Sequence, residues 1–145
     1  MSNDIRKKFG QVQEGIGIED EEIREVIRLA VELGNKYFDV CKMKEQLGVK
    51  EDRSLKLRII DVPGEVGFVV VGCQVKPVLG IERVTTEVEL TKDVFWAILT
   101  KKLSLYDAWL YDLVRIHGEY SLRDAQLLIP LFELLYDYIF GGGSG

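Results

Sequence analysis

A change of hydrophobic period at Thr91 is the feature that most constrains the fold of this chain. Before it, apolar and polar side chains alternate along residues 83–90, which is the period of a strand with one buried and one wet face. After it, Val94, Ile98 and Leu99 recur at helical spacing, and the Thr91 hydroxyl is placed to cap that helix. The sequence therefore predicts a sheet buried on one face, with a helix directly after one of its strands.

Strand signals also lie on either side of this unit. Apolar and basic residues alternate along residues 55–59, and a run rich in β-branched side chains covers residues 66–75. Pro63-Gly64 lies between the two segments and predicts a hairpin. One more strand is predicted over residues 113–117.

Helical patterns precede and follow the predicted strands. Asp20 is placed to cap a helix with apolar residues at three- and four-residue steps. Gly34-Asn35 is expected to divide this segment, and the second helix is expected to close at Gly48. Capping-box spacing at Ser104 predicts a further short helix.

The last predicted helix, from Ser121 to about Ile139, carries a wide apolar arc. Its polar and helix-breaking positions fall on one narrow stripe, at Gln126, Pro130, Glu133 and Asp137. A surface helix packed on one sheet needs an apolar arc of only a little over about 100°. The arc therefore packs between the sheet and the first helices, lines a ligand cavity, or meets a second subunit. Pro130 predicts a kink, either fixed or mobile.

The composition is that of one globular domain. Of the 145 residues, 47% are apolar and 30% are charged, and a domain of this length buries roughly 70% of its unfolded surface. We expect a flexible lead-in over residues 1–19, one domain over 20–140, and a Gly/Ser tail over 141–145. No disulfide or metal is needed to hold such a core.

Charge and cysteine usage exclude several classes of partner. Acidic residues exceed basic ones, and the formal net charge of -5 works against a nucleic-acid partner. Cys41 and Cys73 do not have the spacing of a metal-binding pair, so we expect a reduced, cytoplasmic protein. The longest apolar stretch is too short to span a bilayer, which needs about 20 residues.

Catalytic and cofactor motifs are missing from the sequence. It contains no G-x-G-x-x-G or Walker pattern, and His117 is the single histidine. A nucleophile needs a base and an orienting group beside it, and neither Cys73 nor any serine lies in such a pattern. Glu87 and Glu89 are typical of solvated strand positions. We therefore expect no cofactor and no enzymatic activity.

Three segments together resemble the sterol carrier protein type-two family, also called non-specific lipid-transfer proteins. Residues 85–99 are similar to the family's strand followed by a helix that starts at Leu-Ser/Thr-x-x-Asp. Residues 113–119 are similar to its final strand, and the segment with Ala125, Leu128 and Phe132 is similar to its closing helix.

The resemblance implies an α+β fold with a mainly antiparallel five-stranded sheet and helices packed on one side. It also implies a hydrophobic tunnel between sheet and helices, in which a lipid, sterol or fatty-acyl ligand is bound and carried. Such a carrier is expected to contact membranes transiently.

Candidate ligand-binding residues belong to apolar faces that flank the proposed tunnel. They are Phe68, Val70, Phe95, Trp96, Leu99, Leu103, Leu128, Phe132, Leu135 and Tyr136. Tyr136 or Arg115 is the candidate for holding a head group. The alternative for each apolar residue is ordinary core, since apolar stripes are usually core.

A second function competes with lipid binding. The apolar arc of the last helix is also typical of a protein-interaction or dimerisation module, because large exposed apolar patches mark such contacts. A homodimer is the expected product of that alternative.

Overall fold

Helices and strands are defined over the part of the chain that this computed structural model describes, residues 18–78, 83–118 and 121–141. The helices are α1 (Asp20–Tyr37), α2 (Val40–Leu47), α3 (Lys92–Leu99), α4 (Leu105–Leu110), α5 (Ser121–Ala125) and α6 (Leu128–Phe140). The strands are β1 (Leu55–Ile59), β2 (Gly67–Val71), β3 (Gln74–Pro77), β4 (Thr86–Leu90) and β5 (Val114–Gly118). The predicted lead-in and tail lie almost wholly outside the described residues, as does Glu119 of the segment 113–119.

The strands form one mixed sheet in the order β3-β2-β1-β4-β5. Three neighbouring pairs are antiparallel, whereas β1 and β4 at the centre are parallel, with Leu57 beside Val88. The α+β class and the five strands are thus confirmed, and the parallel pair corrects the sheet to a mixed one. β4 runs in the same direction as β3 and pairs with β1 instead of forming a hairpin with β3.

The two faces of the sheet carry different side chains. One face is apolar and buried, through Leu55, Leu57, Ile59, Phe68, Val70, Val75, Val88, Leu90 and Val114. It shares one core with buried side chains of α1, α3 and α6. The other face is mostly charged, through Lys56, Arg58, Lys76, Glu87, Glu89, Arg115 and His117.

Helix α1 differs from its prediction at its start and at Gly34. Its N-cap is Glu19, which forms a capping box with Glu22, so Asp20 lies one residue inside the helix. The helix runs through Gly34 to Tyr37. A Cβ at position 34 would lie 2.7 Å from Val75 Cγ2, so glycine allows the close approach of the helix to β3. Asn35 Nδ2 donates to the Val75 carbonyl at 2.6 Å, and the Val75 N–H donates to Asn35 Oδ1 at 2.8 Å.

Two cysteines that we expected to be reduced form a disulfide. The predicted strand over 66–75 is two strands, β2 and β3, joined by a turn at Gly72 and Cys73. Cys73 is therefore exposed at a turn and not buried in a strand. Its sulfur is bonded to that of Cys41, with the Cα atoms 4.9 Å apart. The expectation of free thiols is wrong because only the fold brings these residues together.

The last predicted helix is two helices, and the break lies at Gln126 and Leu127, just before Pro130. α5 ends at Ala125, and α6 starts at Leu128, which places Pro130 in the first turn of α6. A backbone N–H has no helical partner in that turn, so proline removes no hydrogen bond there. The polar stripe is confirmed by the exposure of Glu133 and Asp137. Within the described residues, no helix is long and apolar enough to cross a membrane.

Candidate functional site

An apolar cleft of about 330 Å³ lies between the end of α3, the turn into α4, and α6. Six of its lining side chains are apolar and three are polar or charged. They are Ile98, Leu99, Leu103, Leu105, Ile129 and Phe132, with Lys101, Ser104 and Glu133. The cleft is open to solvent, and its volume is at the lower end of the roughly 300–1,000 Å³ usual for small-molecule sites.

The turn between α3 and α4 forms one wall of this cleft. Thr100 is the C-cap of α3, and its hydroxyl donates to a carbonyl of the last helical turn at 2.7 Å. Lys101 follows with a φ of 65°, in the left-handed region. The Ser104 hydroxyl then accepts an α4 backbone N–H at 3.0 Å, which confirms the predicted cap. This reversal brings Leu103 and Leu105 to the cleft.

Helix α6 forms the opposite wall. Phe132 is 4% exposed and meets Phe95 of α3 edge to face, with ring centroids 5.1 Å apart. This contact fixes the spacing of the two helices at the base of the cleft. Ile129, one turn earlier on α6, is 44% exposed. An apolar surface thus runs from the core to solvent.

A lysine at position 101 is unfavourable for the backbone conformation found there. A residue other than glycine in the left-handed region loses roughly 1–2 kcal/mol. The Lys101 ammonium lies 4.3 Å from the ring centroid of Tyr136, a contact worth roughly 0.5–1 kcal/mol at an exposed site. Glycine is the usual residue after a helix C-cap and would form the same turn without the cost. Stability therefore does not account for this lysine.

The charges around the cleft are sparse. Lys101 and Glu133 both line it, yet no ion pair joins Lys101 to a carboxylate among the residues that the structure describes. Ser104 adds one hydroxyl. The cleft is thus an apolar surface with one cation held against an aromatic ring.

The predicted ligand-binding residues fall into two groups. Leu99, Leu103 and Phe132 line the cleft, and Tyr136 lies under the Lys101 ammonium. The others are almost fully buried in the core and line no part of it: Phe68, Val70, Phe95, Trp96, Leu128 and Leu135. Arg115 is exposed on the charged face of the sheet.

Sequence reasoning missed six lining residues. They are Ile98, Lys101, Ser104, Leu105, Ile129 and Glu133. The capping-box spacing at Ser104 predicts a turn at this point, so the end of α3 could have been predicted to form a wall of the cleft. No sequence signal marked Lys101, because lysine is not a residue associated with a positive φ.

A second cleft, of about 440 Å³, lies between α1 and the loop that joins β1 to β2. Its apolar residues include Ile27, Val31 and Val66. Its two arginines have partners within the protein: Arg24 donates to the Pro63 carbonyl at 3.1 Å, and Arg28 pairs with Glu25. The first cleft lies between α3 and α6 and no strand residue of the described chain lines it, whereas the tunnel was predicted between the sheet and the helices.

Exposed apolar side chains cluster on α4 and the turn after it. Leu105 and Ala108 face the core, whereas the other large apolar residues of this segment are 38–68% exposed. We call these residues the α4 patch: Tyr106, Trp109, Leu110, Tyr111 and Leu113. Leu105 of the same helix lines the cleft, so patch and cleft share one short helix.

The charged face of the sheet holds a three-membered cluster. Glu89 accepts a hydrogen bond from Arg58 and lies 2.9 Å from His117 Nε2. Both bonds lower the pKa of Glu89, and the bond from Arg58 has the larger effect. His117 is exposed. No group of three potential metal ligands is present among the described residues.

Buried ionisable groups lie in a different region. The ammonium of the fully buried Lys44 donates to the carbonyls of Glu51 and Arg53, at 3.1 and 2.6 Å, and burial lowers its pKa. Arg53 pairs with Asp124 of α5 at 3.0 Å, and both are buried. These side chains fasten the loop before β1 to α2 and α5.

No protein-family model matches the chain, and no curated protein matches it by sequence. Solved structures do match. A ubiquinone synthesis protein named UbiJ-SCP2 is 13% identical with a TM-score of 0.54, over 76% of this chain and 95% of its own. The sterol carrier protein domain 2 of Helicoverpa armigera is 16% identical with a TM-score of 0.50, over 77% and 86% of the two chains.

A longer protein also matches in part. The chain covers 14% of a sec-alkylsulfatase from Pseudomonas sp., at 21% identity and a TM-score of 0.43 over 61% of this chain. The matches with sterol carrier proteins cover most of both chains. The protein therefore has a sterol-carrier-protein-2-like fold, as the sequence resemblance implied.

Proposed function

We propose that this protein binds a lipid-like ligand non-covalently, with an apolar chain lying in the cleft between α3, α4 and α6, and that it carries this ligand. The observation that supports the proposal is a continuous apolar surface from Phe132 in the core to Ile129 at the mouth. Proteins named as sterol carriers share the fold, which adds support.

The affinity of the cleft for a ligand with an apolar chain should depend on the length of that chain. Each methylene removed from water contributes about 0.8 kcal/mol, or roughly fourfold in affinity. Association itself costs at least about 4 kcal/mol, so a short chain does not bind measurably. Affinity should therefore rise with chain length until the cleft is filled.

Ile129→Glu tests this proposal because it changes the mouth of the cleft without entering the core. We expect it to abolish uptake of a fluorescent long-chain alcohol and of the matching fatty acid, while the melting temperature stays within a few degrees. Ile60→Glu is the matched control, since Ile60 is 49% exposed and outside the cleft. Equal uptake by wild type and both variants would contradict the proposal, as would no uptake by wild type.

A transient membrane contact through the α4 patch is part of the same proposal. Tyrosine and tryptophan favour the bilayer interface because each combines an apolar ring with a polar group. The patch and the cleft share α4, so a bilayer that contacts the patch would lie beside the cleft. A ligand could then move between them without crossing water.

The dimerisation alternative has less support. The apolar side chains of α6 that suggested it pack within the chain, namely Leu128, Leu131, Phe132, Leu135 and Ile139. Ile129 is the large apolar residue of α6 that is strongly exposed within the described chain. A dimer remains an outcome that a concentration series of melting curves would reveal.

Binding without catalysis, in the cytoplasm, completes the proposal. The proposed location in the cytoplasm must be reconciled with the Cys41–Cys73 disulfide. Structural disulfides are rare in reducing compartments outside hyperthermophiles. Alkylation of thiols in freshly lysed source cells, before and after reduction, would measure the state of this pair.

A further inference from the structure

Lys101 combines three features that the turn does not require. Its backbone is in the left-handed region with a φ of 65°, its side chain is exposed, and its ammonium is held 4.3 Å from the Tyr136 ring centroid at the cleft wall. Asp112 is the other non-glycine residue with positive φ among those described. At the equivalent turn after α2, the residue is Gly48, with a φ of 72°.

The hydrogen bonds of the turn belong to the backbone. The Lys101 N–H donates to the Ile98 carbonyl at 3.1 Å, and the Lys102 N–H donates to the Ala97 carbonyl at 2.9 Å. Glycine would keep both bonds and would relieve the backbone. What glycine would remove is a cation placed at the rim of an apolar cleft.

We propose that Lys101 binds the anionic head group of the ligand, so that the cleft prefers long-chain amphiphiles with an anionic head to neutral lipids of the same chain length. This inference rests on the proposed function. The apolar chain would lie along Leu99 and Phe132, and the head group would meet the ammonium at the rim. An ammonium beside an aromatic ring keeps its remaining hydrogen-bond donors available to an anion.

The surrounding charges are compatible with one anionic group. Glu133 is the carboxylate of the cleft, and it is not paired with Lys101. Its negative charge disfavours a head group that carries more than one negative charge. A long-chain carboxylate therefore fits the rim better than a multiply charged head group.

Lys101→Gly separates binding from stability. We expect the variant to melt at the same or a higher temperature than wild type, yet to bind a fluorescent fatty acid roughly tenfold more weakly, as for a lost charge-assisted contact. Its affinity for the matching fatty alcohol should not change. Lys101→Arg should retain the preference for the acid, and Lys76→Gln, on the charged face of the sheet, controls for net charge.

The fatty-acid and fatty-alcohol probes distinguish the role of Lys101 from the proposed function of lipid binding. If wild type binds acid and alcohol equally and Lys101→Gly changes neither affinity, the role of Lys101 is overturned while lipid binding stands. If wild type binds neither probe, the proposed function fails. A loss of melting temperature in Lys101→Gly would overturn the inference as well, since the lysine would then be structural.

Discussion

The region around the disulfide and the region around the cleft are held together by different means. In the disulfide region, Cys41 is bonded to Cys73, Lys44 is bonded to two loop carbonyls, and Arg53 is paired with Asp124. In the cleft region, residues 98–113 with the facing side of α6, the contacts are mainly apolar and aromatic.

The cleft region also contains more of the features that reduce stability. Of the described residues, the two non-glycine ones with positive φ, Lys101 and Asp112, both lie in it, as do the exposed side chains of the α4 patch. Backbone strain and exposed apolar surface reduce stability unless another part of the fold compensates. We infer that the covalent and ionic links of the disulfide region offset the stability lost in the cleft region.

Asp124→Ala should produce the largest loss of stability. It removes the carboxylate of a buried ion pair and leaves the Arg53 charge in the interior, a change that typically costs about 3–5 kcal/mol. Chemical denaturation should report this loss, and the melting temperature should fall by on the order of 10 °C. The double variant Arg53→Met/Asp124→Leu should recover much of the loss. A loss below 1 kcal/mol in Asp124→Ala would mean that the pair adds little here.

Cys41→Ser/Cys73→Ser should have the next largest effect. The bond links residues 32 positions apart, and closing a loop of that length in the unfolded chain is worth about 3–4 kcal/mol. Wild type should melt lower in the presence of reductant, and the double variant should melt low with or without it. Identical melting of wild type in both conditions would restore the expectation of free thiols.

The same two regions differ in how well the sequence predicted them. Three local signals were reliable, since the Thr91 and Ser104 caps and the Gly48 helix end lie where predicted, whereas the cap predicted at Asp20 lies at Glu19. Each depends on a side chain or a backbone angle within a few residues of the helix end. The five-stranded α+β class came from the resemblance to the sterol carrier protein type-two family, since alternation and helical spacing predict only individual strands and helices.

Contacts between distant segments were not predictable from these patterns. The disulfide, the Arg53–Asp124 pair and the passage of α1 over Val75 at Gly34 each join residues more than a turn or a hairpin apart. Asp124, in the first turn of the last predicted helix, is a buried partner for Arg53. Most predicted lining residues lie in the core. This was not predictable either, because an apolar face of a helix or strand does not indicate whether protein or ligand covers it.

Leu110→Ser/Tyr111→Ser should leave stability almost unchanged and so give the smallest effect on folding. The two side chains are 56% and 68% exposed, and surface changes of this kind are usually within about 0.5 kcal/mol. Binding to neutral phosphatidylcholine vesicles should nevertheless fall about thirtyfold, because partial burial of two such residues contributes roughly 2 kcal/mol. Emission of Trp109 offers the measurement, since it is 38% exposed while Trp96 is 5% exposed. The emission of the wild-type protein should shift to shorter wavelength with vesicles, as Trp109 enters the interface.

Tyr37→Ser/Ile60→Ser is the control variant, because it removes similarly exposed apolar side chains outside the patch and should keep wild-type binding. Equal vesicle binding by both double variants and wild type would show that the α4 patch is not the membrane contact, and cleft and patch would then be independent features of this region.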